Sequence, residues 1–180
     1  MWLIVVVSFV AETLDVTIDS LNASGDGVAR GGGLRLTIPF TIPGERVRVQ
    51  VGARRQKTAA ARLLDVLAPS PHRIIPRCPH FGLGAEPGVG PCGGCTWQHI
   101  AYPEQLRLKT AFVERLVRAA APTSPRVRPM LPSTQPDDPW GYRPRDLPSI
   151  ARRRYTIQSI QPVDMFPHTA HVEAVVVLTR

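Results

Sequence analysis

Apolar and polar residues alternate in several short segments of the first third of the chain. The clearest of these segments are Leu14–Ile18, Leu34–Ile38 and Val47–Val51. Alternation with a period of two is typical of a strand that is buried on one face, so each segment is predicted to be a half-buried strand. The segment from Ala59 to Leu67 is predicted to complete the set.

Turns rich in glycine separate these strands, at Ser24–Gly27, Gly31–Gly33 and Pro43–Gly44. Glycine adopts positive φ at little cost, which suits tight turns. Four or five short strands at intervals of about 8–12 residues predict a small closed barrel of the OB type. Such barrels bind oligonucleotides on an outer face. The candidate RNA contacts are the outward-pointing Arg35, Arg46 and Arg48, although outward arginines also occur on ordinary solvated faces.

The first eleven residues form an apolar extension of a different kind. Residues 2–11 are apolar except for Ser8, but a helix needs about 20 such residues to span a bilayer. The positive start and small-residue cleavage site of a secretory signal are both missing. We therefore expect no membrane partner, and interpret the segment as an extension of the first strand or as translated sequence upstream of the natural start.

The second half of the chain changes from a helical pattern to a strand pattern. Apolar residues recur at helical spacing between Pro103 and Ala120, and basic residues, Lys109 among them, give this helix a basic side. After a proline-rich linker, strands are predicted over residues 155–163 and 171–178. The second strand contains a continuous apolar run, which is typical of a strand covered on both faces. Since only one helix is available to cover it, the hairpin is predicted to be a remnant of a larger α/β sheet with an exposed edge.

The charge of the chain indicates a kind of partner, and its cysteine content indicates a cellular compartment. The chain has 22 Lys+Arg against 14 Asp+Glu, a net charge of +8, and its only lysines are Lys57 and Lys109. Arginine binds two phosphate oxygens at once, so a polyanionic partner is favoured, although a GC-rich genome also raises arginine content. Three cysteines are an odd number, which argues against a closed disulfide framework and for a reducing, cytoplasmic location.

The three cysteines are concentrated in one segment. Cys78 precedes a stretch rich in glycine and proline, which leads to Cys92 and Cys95 in a C-x-x-C arrangement. Three thiolates suit an iron–sulfur cluster or zinc, and both normally take four ligands. The fourth ligand stays open between His80, His99, a cysteine of another chain and an exogenous ligand. Three reduced thiols without a metal are the alternative.

Six segments, taken in order, resemble the bacterial 23S rRNA uracil-5 methyltransferase family. The first two resemble its TRAM domain, a small RNA-binding β-barrel, and the next two its iron–sulfur motif, where the match continues through Tyr102, Gln105, Leu106 and Lys109. The last two resemble the start of its substrate-binding region and its C-terminal catalytic motif. The segments are Gly25–Arg30, Ile42–Glu45, Arg77–Phe81, Cys92–Ile100, Trp140–Arg143 and Asp164–Glu173.

The resemblance implies roles for individual residues. Glu173 matches the general base that removes the C5 proton of uracil, after a cysteine thiolate has added to C6 and C5 has been methylated. The resemblance also implies a 4Fe-4S cluster and, by family alone, S-adenosylmethionine. Cluster ligands and RNA contacts are implied for Cys78, Cys92 and Cys95, and for Trp140, Tyr142 and Arg143, respectively.

Parts of the family pattern have no counterpart in this sequence. No cysteine follows Cys95, so the fourth cluster cysteine and the nucleophilic cysteine are both missing. The strands and glycine-rich turn that hold S-adenosylmethionine are missing too, and residues 82–91 look like an insertion. Arg145–Leu147 resembles a stretch just beyond the nucleophile, so the chain is predicted to skip the middle of the methyltransferase domain.

The predicted fold class is mainly β: an OB-like TRAM barrel, a cysteine-rich loop, one helix, and a β-hairpin remnant of a class I methyltransferase α/β domain. The first predicted function is a truncated, RNA-binding member of the methyltransferase family, with rRNA as partner, that is inactive alone or active only when a second chain supplies the cofactor domain. The alternative is a non-catalytic RNA-binding protein with a metal-binding loop. The predicted parts are residues 1–11, 12–68, 69–101, 102–143 and 144–180.

Overall fold

A computed structural model describes residues 12–82, 94–122, 126–133 and 156–179 of the protein. The chain divides into two compact units, residues 1–71 and 72–180. Several sequence-based predictions fall outside the described residues. These concern the apolar segment 2–11, Cys92, Trp140, Tyr142, Arg143 and the stretch Arg145–Leu147.

Five strands of the first unit form a closed barrel, which confirms the predicted fold of this region. Around the barrel the strands follow the order β1-β2-β3-β5-β4. Neighbouring strands are antiparallel except β3 and β5, which close the barrel through a short parallel ladder. The strands are β1 (Thr13–Leu21), β2 (Gly27–Gly31), β3 (Leu34–Ile38), β4 (Arg46–Arg55) and β5 (Thr58–Ala68).

The hydrophobic core of the barrel consists of aliphatic side chains. Its eleven buried core residues come from all five strands, and Leu36, Val47 and Val49 have no exposed surface. Burying a side chain of this size contributes about 1.5–3 kcal/mol. On β4 the buried valines alternate with exposed arginines, so a shift of one residue would place arginine in the core. The alternation in the sequence therefore fixes the register of the strands.

Strand β2 requires glycine at its first position, Gly27, directly after a tight turn. The Asn22 side-chain oxygen accepts hydrogen bonds from the backbone N–H groups of Ser24 and Asp26, both at 2.9 Å. The turn brings Gly27 against Thr41, where a Cβ atom would lie 2.0 Å from the hydroxyl oxygen. Any larger residue at position 27 would displace Thr41, so close packing explains why this residue is glycine.

The turn before β4 depends on a buried carboxylate. Glu45 is 0% exposed, and its Oε2 accepts a hydrogen bond from the backbone N–H of Ile42 at 2.9 Å. Its Oε1 accepts a second hydrogen bond at 3.1 Å from the backbone N–H of Ser70, which lies just after the end of β5. Glu45 thus fastens the end of the barrel to one of its turns.

The second unit contains α1 (Tyr102–Ala120) and an antiparallel hairpin of β6 (Thr156–Val163) and β7 (Glu173–Thr179). Pro103 stands in the first turn of α1, where its missing N–H needs no partner. Val113 of the helix packs with Val127 and Ile160. The predicted helix and hairpin are confirmed. No helix within the described ranges combines the length and the apolar character that a membrane span requires.

Strand β7 is uncovered within the described part of the chain. Val175, Val176 and Val177 are 59%, 44% and 49% exposed. Because consecutive strand residues point to opposite faces, both faces of β7 are open there. The segment that contains Leu131 lies along the other edge of β6, through a parallel bridge to Val163. Within the described residues β7 pairs with β6 alone, so its outer edge is the exposed edge that the sequence predicts.

One prediction about α1 is wrong, because Lys109 does not belong to its basic side. Lys109 is 0% exposed and forms an ion pair with Asp164, which is also fully buried. A buried ammonium is tolerated when a carboxylate lies opposite it. The exposed cations of the helix are Arg107, Arg115 and Arg118.

Candidate functional site

The three candidate arginines of the barrel lie in different electrostatic surroundings. Strand register places Asp15 of β1, Arg48 of β4 and Asp65 of β5 side by side on the outer surface. Arg48 donates two hydrogen bonds to the Asp15 carboxylate, at 2.8 and 3.0 Å. Arg46 lies 3.7 Å from the same carboxylate. We call Asp15, Arg46, Arg48 and Asp65 the balanced row, because each of its arginines is opposed by a carboxylate.

The balanced row changes the acidity of its members. The hydrogen bond from Arg48 lowers the pKa of Asp15, and Asp15 in turn raises the pKa of Arg48. Arg35 is exposed on β3 and lies opposite Arg30 of β2 rather than opposite a carboxylate. The structure therefore separates Arg35 from Arg46 and Arg48, which the sequence pattern grouped together.

The cysteine segment is a loop that is closed at its base. The backbone of Ile74 donates to the carbonyl of His99 at 2.9 Å, and Ala101 donates to His72 at 2.9 Å. Inside the loop, the backbone N–H of Cys78 donates to the side chain of Gln98 at 3.1 Å. This arrangement holds the two ends of the cysteine segment side by side.

Cys78 and Cys95 are half-buried thiols that form no disulfide. Three thiols in one loop are a donor set that suits a soft metal centre. Only Cys78 and Cys95 of the set lie in the described ranges, where no group of three metal-binding side chains occurs. Of the candidate fourth ligands, His99 is buried with its ring 5.6 Å from that of Phe81.

Helix α1 joins the cysteine segment to the C-terminal motif through Gln105. The buried side chain of Gln105 accepts a hydrogen bond from the backbone N–H of His168 at 2.8 Å and donates to the carbonyl of Ile100 at 2.8 Å. The carbonyl of His168 accepts hydrogen bonds from the N–H groups of Thr96 and Trp97 at 3.0 and 2.9 Å. With φ of 62°, His168 turns both of its backbone groups toward these partners. We call this set of contacts the junction.

Lys109, one helical turn after Gln105, makes a second connection to the C-terminal motif. Its ammonium pairs with Asp164, donates to the carbonyl of Phe166 at 3.0 Å and lies 5.9 Å from the centre of the Trp97 ring. Burial lowers the pKa of Lys109, and Asp164 opposes that shift. Burial also raises the pKa of the nearby Tyr102.

Sequence reasoning missed the roles of Gln105 and Lys109. The available signal was their place in the family-like stretch after the cysteines. Helical spacing alone cannot identify partners that lie 63 and 55 positions away.

Glu173 stands at the first position of β7, opposite Val163. It is exposed, and no ion pair between Glu173 and His171 is found in the described part of the chain. A hydrogen bond within the loop before Glu173 stabilises that loop: the Thr169 hydroxyl donates to the carbonyl of Phe166 at 2.8 Å. Gln105 and Lys109 hold this loop, so they also set the position from which β7 begins.

Comparison with known proteins gives matches in the barrel and beyond it. A family model described as the TRAM domain of tRNA (uracil(54)-C(5))-methyltransferase matches residues 14–72. The 23S rRNA (uracil(1939)-C(5))-methyltransferases RlmD of Photorhabdus laumondii and Alkalilimnicola ehrlichii are each 36% identical over 132 residues, 73% of this chain and 27% of theirs. An uncharacterized RNA methyltransferase of Nitratidesulfovibrio vulgaris is 38% identical over 122 residues, 67% of this chain and 24% of its own.

Among solved structures, the Pyrococcus abyssi tRNA (uracil-54, C5)-methyltransferase in complex with S-adenosyl-L-homocysteine matches with a TM-score of 0.41 and 30% identity. The match covers 57% of this chain and 21% of that protein. The chain spans about a quarter of the length of the curated relatives it matches. The barrel is therefore the TRAM domain of the RNA uracil-C5 methyltransferase family, and the chain belongs to that family.

Proposed function

We propose that this chain is an RNA-binding member of its family that does not transfer a methyl group by itself. One observation supports the proposal most directly. The TRAM barrel and the loop before Glu173 are both folded, whereas all three cysteines of the chain lie before α1 and none lies near Glu173 in sequence. RNA binding is supported by the family of the barrel and by the net charge of +8. The names of the two RlmD relatives favour rRNA as the RNA.

The proposed division of the reaction follows from its chemistry. Carbon C5 of uracil becomes nucleophilic only after a thiolate has added to C6, and the base must leave its stack to be reached. A carboxylate such as Glu173 suits the later removal of the C5 proton. No cysteine of this chain follows Cys95, so we infer that a second chain supplies the thiolate.

S-adenosylmethionine supplies the methyl group in this chemistry when it is bound. The residues that the structure describes do not fit a site for it. The methyltransferase unit is represented by a two-stranded antiparallel hairpin in the described ranges, without the parallel strand and glycine-rich turn that hold such a cofactor. No step of the reaction is assigned to a cofactor site in this chain.

The second candidate function is a non-catalytic RNA-binding protein with a metal-binding loop. It is favoured by the closed base of the cysteine segment, which keeps Cys78 and Cys95 in one loop. Cys78, Cys92 and Cys95 would hold a 4Fe-4S cluster or zinc. Anaerobically purified protein should then be brown or contain stoichiometric zinc, and colourless protein free of metal would remove this candidate.

A methyl-transfer assay tests the first proposal. The pure chain is incubated with labelled S-adenosylmethionine and uracil-containing RNA, and binding of the same RNA is followed by fluorescence anisotropy. We expect RNA binding without incorporation of label. Incorporation of label by the pure chain would show that this chain is catalytic by itself, and absence of RNA binding at low salt would overturn the RNA-binding role.

A further inference from the structure

A second set of outward charges on the barrel differs in kind from the balanced row. Strand register places Arg30 of β2, Arg35 of β3, Thr58 of β5 and Arg55 of β4 side by side on the outer surface. Lys57 lies in the turn between β4 and β5, where its carbonyl accepts a hydrogen bond from the backbone N–H of Arg35 at 2.8 Å. We call Arg30, Arg35, Arg55 and Lys57 the basic row.

All four cations of the basic row are exposed, and none of them forms an ion pair within the described part of the chain. Glu12 approaches the adjoining turn, 3.3 Å from where a Cβ on Gly32 would lie, but its carboxylate is paired with Arg54. The Thr58 hydroxyl donates to the carbonyl of Arg55 at 2.9 Å, so it brings no negative charge. Among the described residues, the basic row therefore has no carboxylate of its own to oppose it.

This arrangement works against folding. Arg30 and Arg35 are direct cross-strand partners, whose Cβ atoms are about 5 Å apart, and like charges in such pairs destabilise a sheet. The same barrel opposes Arg46 and Arg48 with carboxylates, so the repulsion in the basic row is not a general feature of its surface. A bound polyanion removes the repulsion.

The length of the basic row suits contact with the backbone of a single RNA strand. Neighbouring strands are about 4.8 Å apart, so the row from β2 to β4 spans about 14 Å. Phe40 is the only aromatic residue between positions 12 and 71, which leaves the row without a stacking platform for bases. Contact with phosphates alone carries no information about sequence.

We propose that the basic row is the phosphate-binding surface of the barrel, and that it holds a single RNA backbone without reading its bases. This inference rests on the RNA-binding role proposed above. It also assigns the balanced row a structural role only, because Arg46 and Arg48 already bind Asp15.

Two double variants of the full chain, with equal changes of net charge, test the proposal. Arg30→Gln/Arg35→Gln removes two members of the basic row, and Arg46→Gln/Arg48→Gln removes two arginines of the balanced row. Anisotropy with labelled single-stranded oligo(U) and oligo(A) is measured between 0.05 and 1 M salt. For single strands, the slope of log K against log salt changes by about 0.7 per phosphate contact.

We expect the basic-row variant to lose about 1.4 from the magnitude of the slope. If affinities converge at 1 M salt, this corresponds to about 65-fold weaker binding at 0.05 M. The balanced-row variant should keep the wild-type slope, and oligo(U) and oligo(A) should bind the wild type equally. Without RNA, the basic-row variant should unfold at the same or a higher temperature than the wild type, since a repulsive pair is removed.

The results that would overturn the proposal are distinct from each other. If the wild type binds RNA but the basic-row variant keeps its slope, the barrel surface is not the site. The larger share of the net charge lies in residues 72–180, which would then carry the binding. A large preference for one oligonucleotide would refute recognition by phosphates alone. If the wild type binds neither RNA, this inference falls together with the proposed RNA-binding role.

Discussion

Different kinds of contact stabilise the interior of each of the two units of this protein. The barrel core consists of eleven buried aliphatic residues, all from five strands that are close in sequence. The second unit relies on the ion pair of Lys109 with Asp164 and on the junction at Gln105, which span 55 and 63 positions. An apolar core distributes stability over many side chains, whereas buried polar contacts concentrate it in a few.

The largest effect is expected from Lys109→Met, which leaves the carboxylate of Asp164 buried without its cation. Breaking a buried pair in this way costs about 3–5 kcal/mol. Hydrogen exchange should show the loss as faster exchange of amides in residues 96–100 and 164–171, with the amides of β3 and β4 as an internal reference.

The double variant Lys109→Met/Asp164→Leu is the matched control. Replacing a whole buried ion pair by apolar side chains is often neutral, so protection of residues 164–171 should largely return. If the double variant exchanges as fast as Lys109→Met, then packing rather than the unpaired charge explains the loss.

A somewhat smaller effect is expected in the barrel from Leu36→Ala. Leu36 is 0% exposed, and truncating a buried leucine costs about 2–5 kcal/mol. The loss should appear in the unfolding free energies given by the exchange of β1–β5 amides. Leu64→Ala is the control, because Leu64 is 42% exposed and should change stability by less than about 0.5 kcal/mol. Equal losses in both variants would contradict a core centred on Leu36.

These two regions also differ in how far the sequence predicts them. The barrel was predictable because alternation of apolar and polar residues identifies both a strand and the face that it buries. Val47, Arg48 and Val49 are an example. The charge rows were not, because only strand register shows that Arg48 lies opposite Asp15 whereas Arg35 lies opposite Arg30.

In the second unit, helical spacing located α1 but assigned Lys109 to the basic side. A lysine at a core position looks like any surface lysine until its partner is known, and Asp164 lies in another element. The roles of Cys92, Trp140, Tyr142 and Arg143 fall outside the described residues and stay predictions.

A moderate local effect is expected from Gln105→Leu. The change leaves the backbone N–H of His168 and the carbonyl of Ile100 without the hydrogen bonds that Gln105 provides. Each buried group left unsatisfied costs about 1–3 kcal/mol. Amides of residues 164–171 should exchange faster, whereas Gln161→Leu, which alters a more exposed side chain of the same unit, should have little effect. Unchanged exchange in Gln105→Leu would show that the junction is not a source of stability.

The smallest effect is expected in the balanced row and depends on pH. The pKa of Asp15 is lowered by its hydrogen bond from Arg48, so the ionised carboxylate favours the folded barrel. This contribution is fully present above the unfolded pKa, about 3.9, and is lost as pH falls through the lower folded pKa. The difference in barrel melting temperature between the wild type and Asp15→Asn should be constant above about pH 5 and should shrink below pH 4. A difference that grows in acid would contradict the assignment.

The separation between Lys109 and Asp164 has a consequence for synthesis on the ribosome. Domains generally fold in order from the N-terminus as the chain is made, and all five barrel strands are complete by residue 68. Helix α1 then emerges with a charged lysine on the side that will be buried, and its carboxylate is made 55 residues later. The nascent second unit cannot close around Lys109 in that interval, so its folding waits for translation to near the end of this chain.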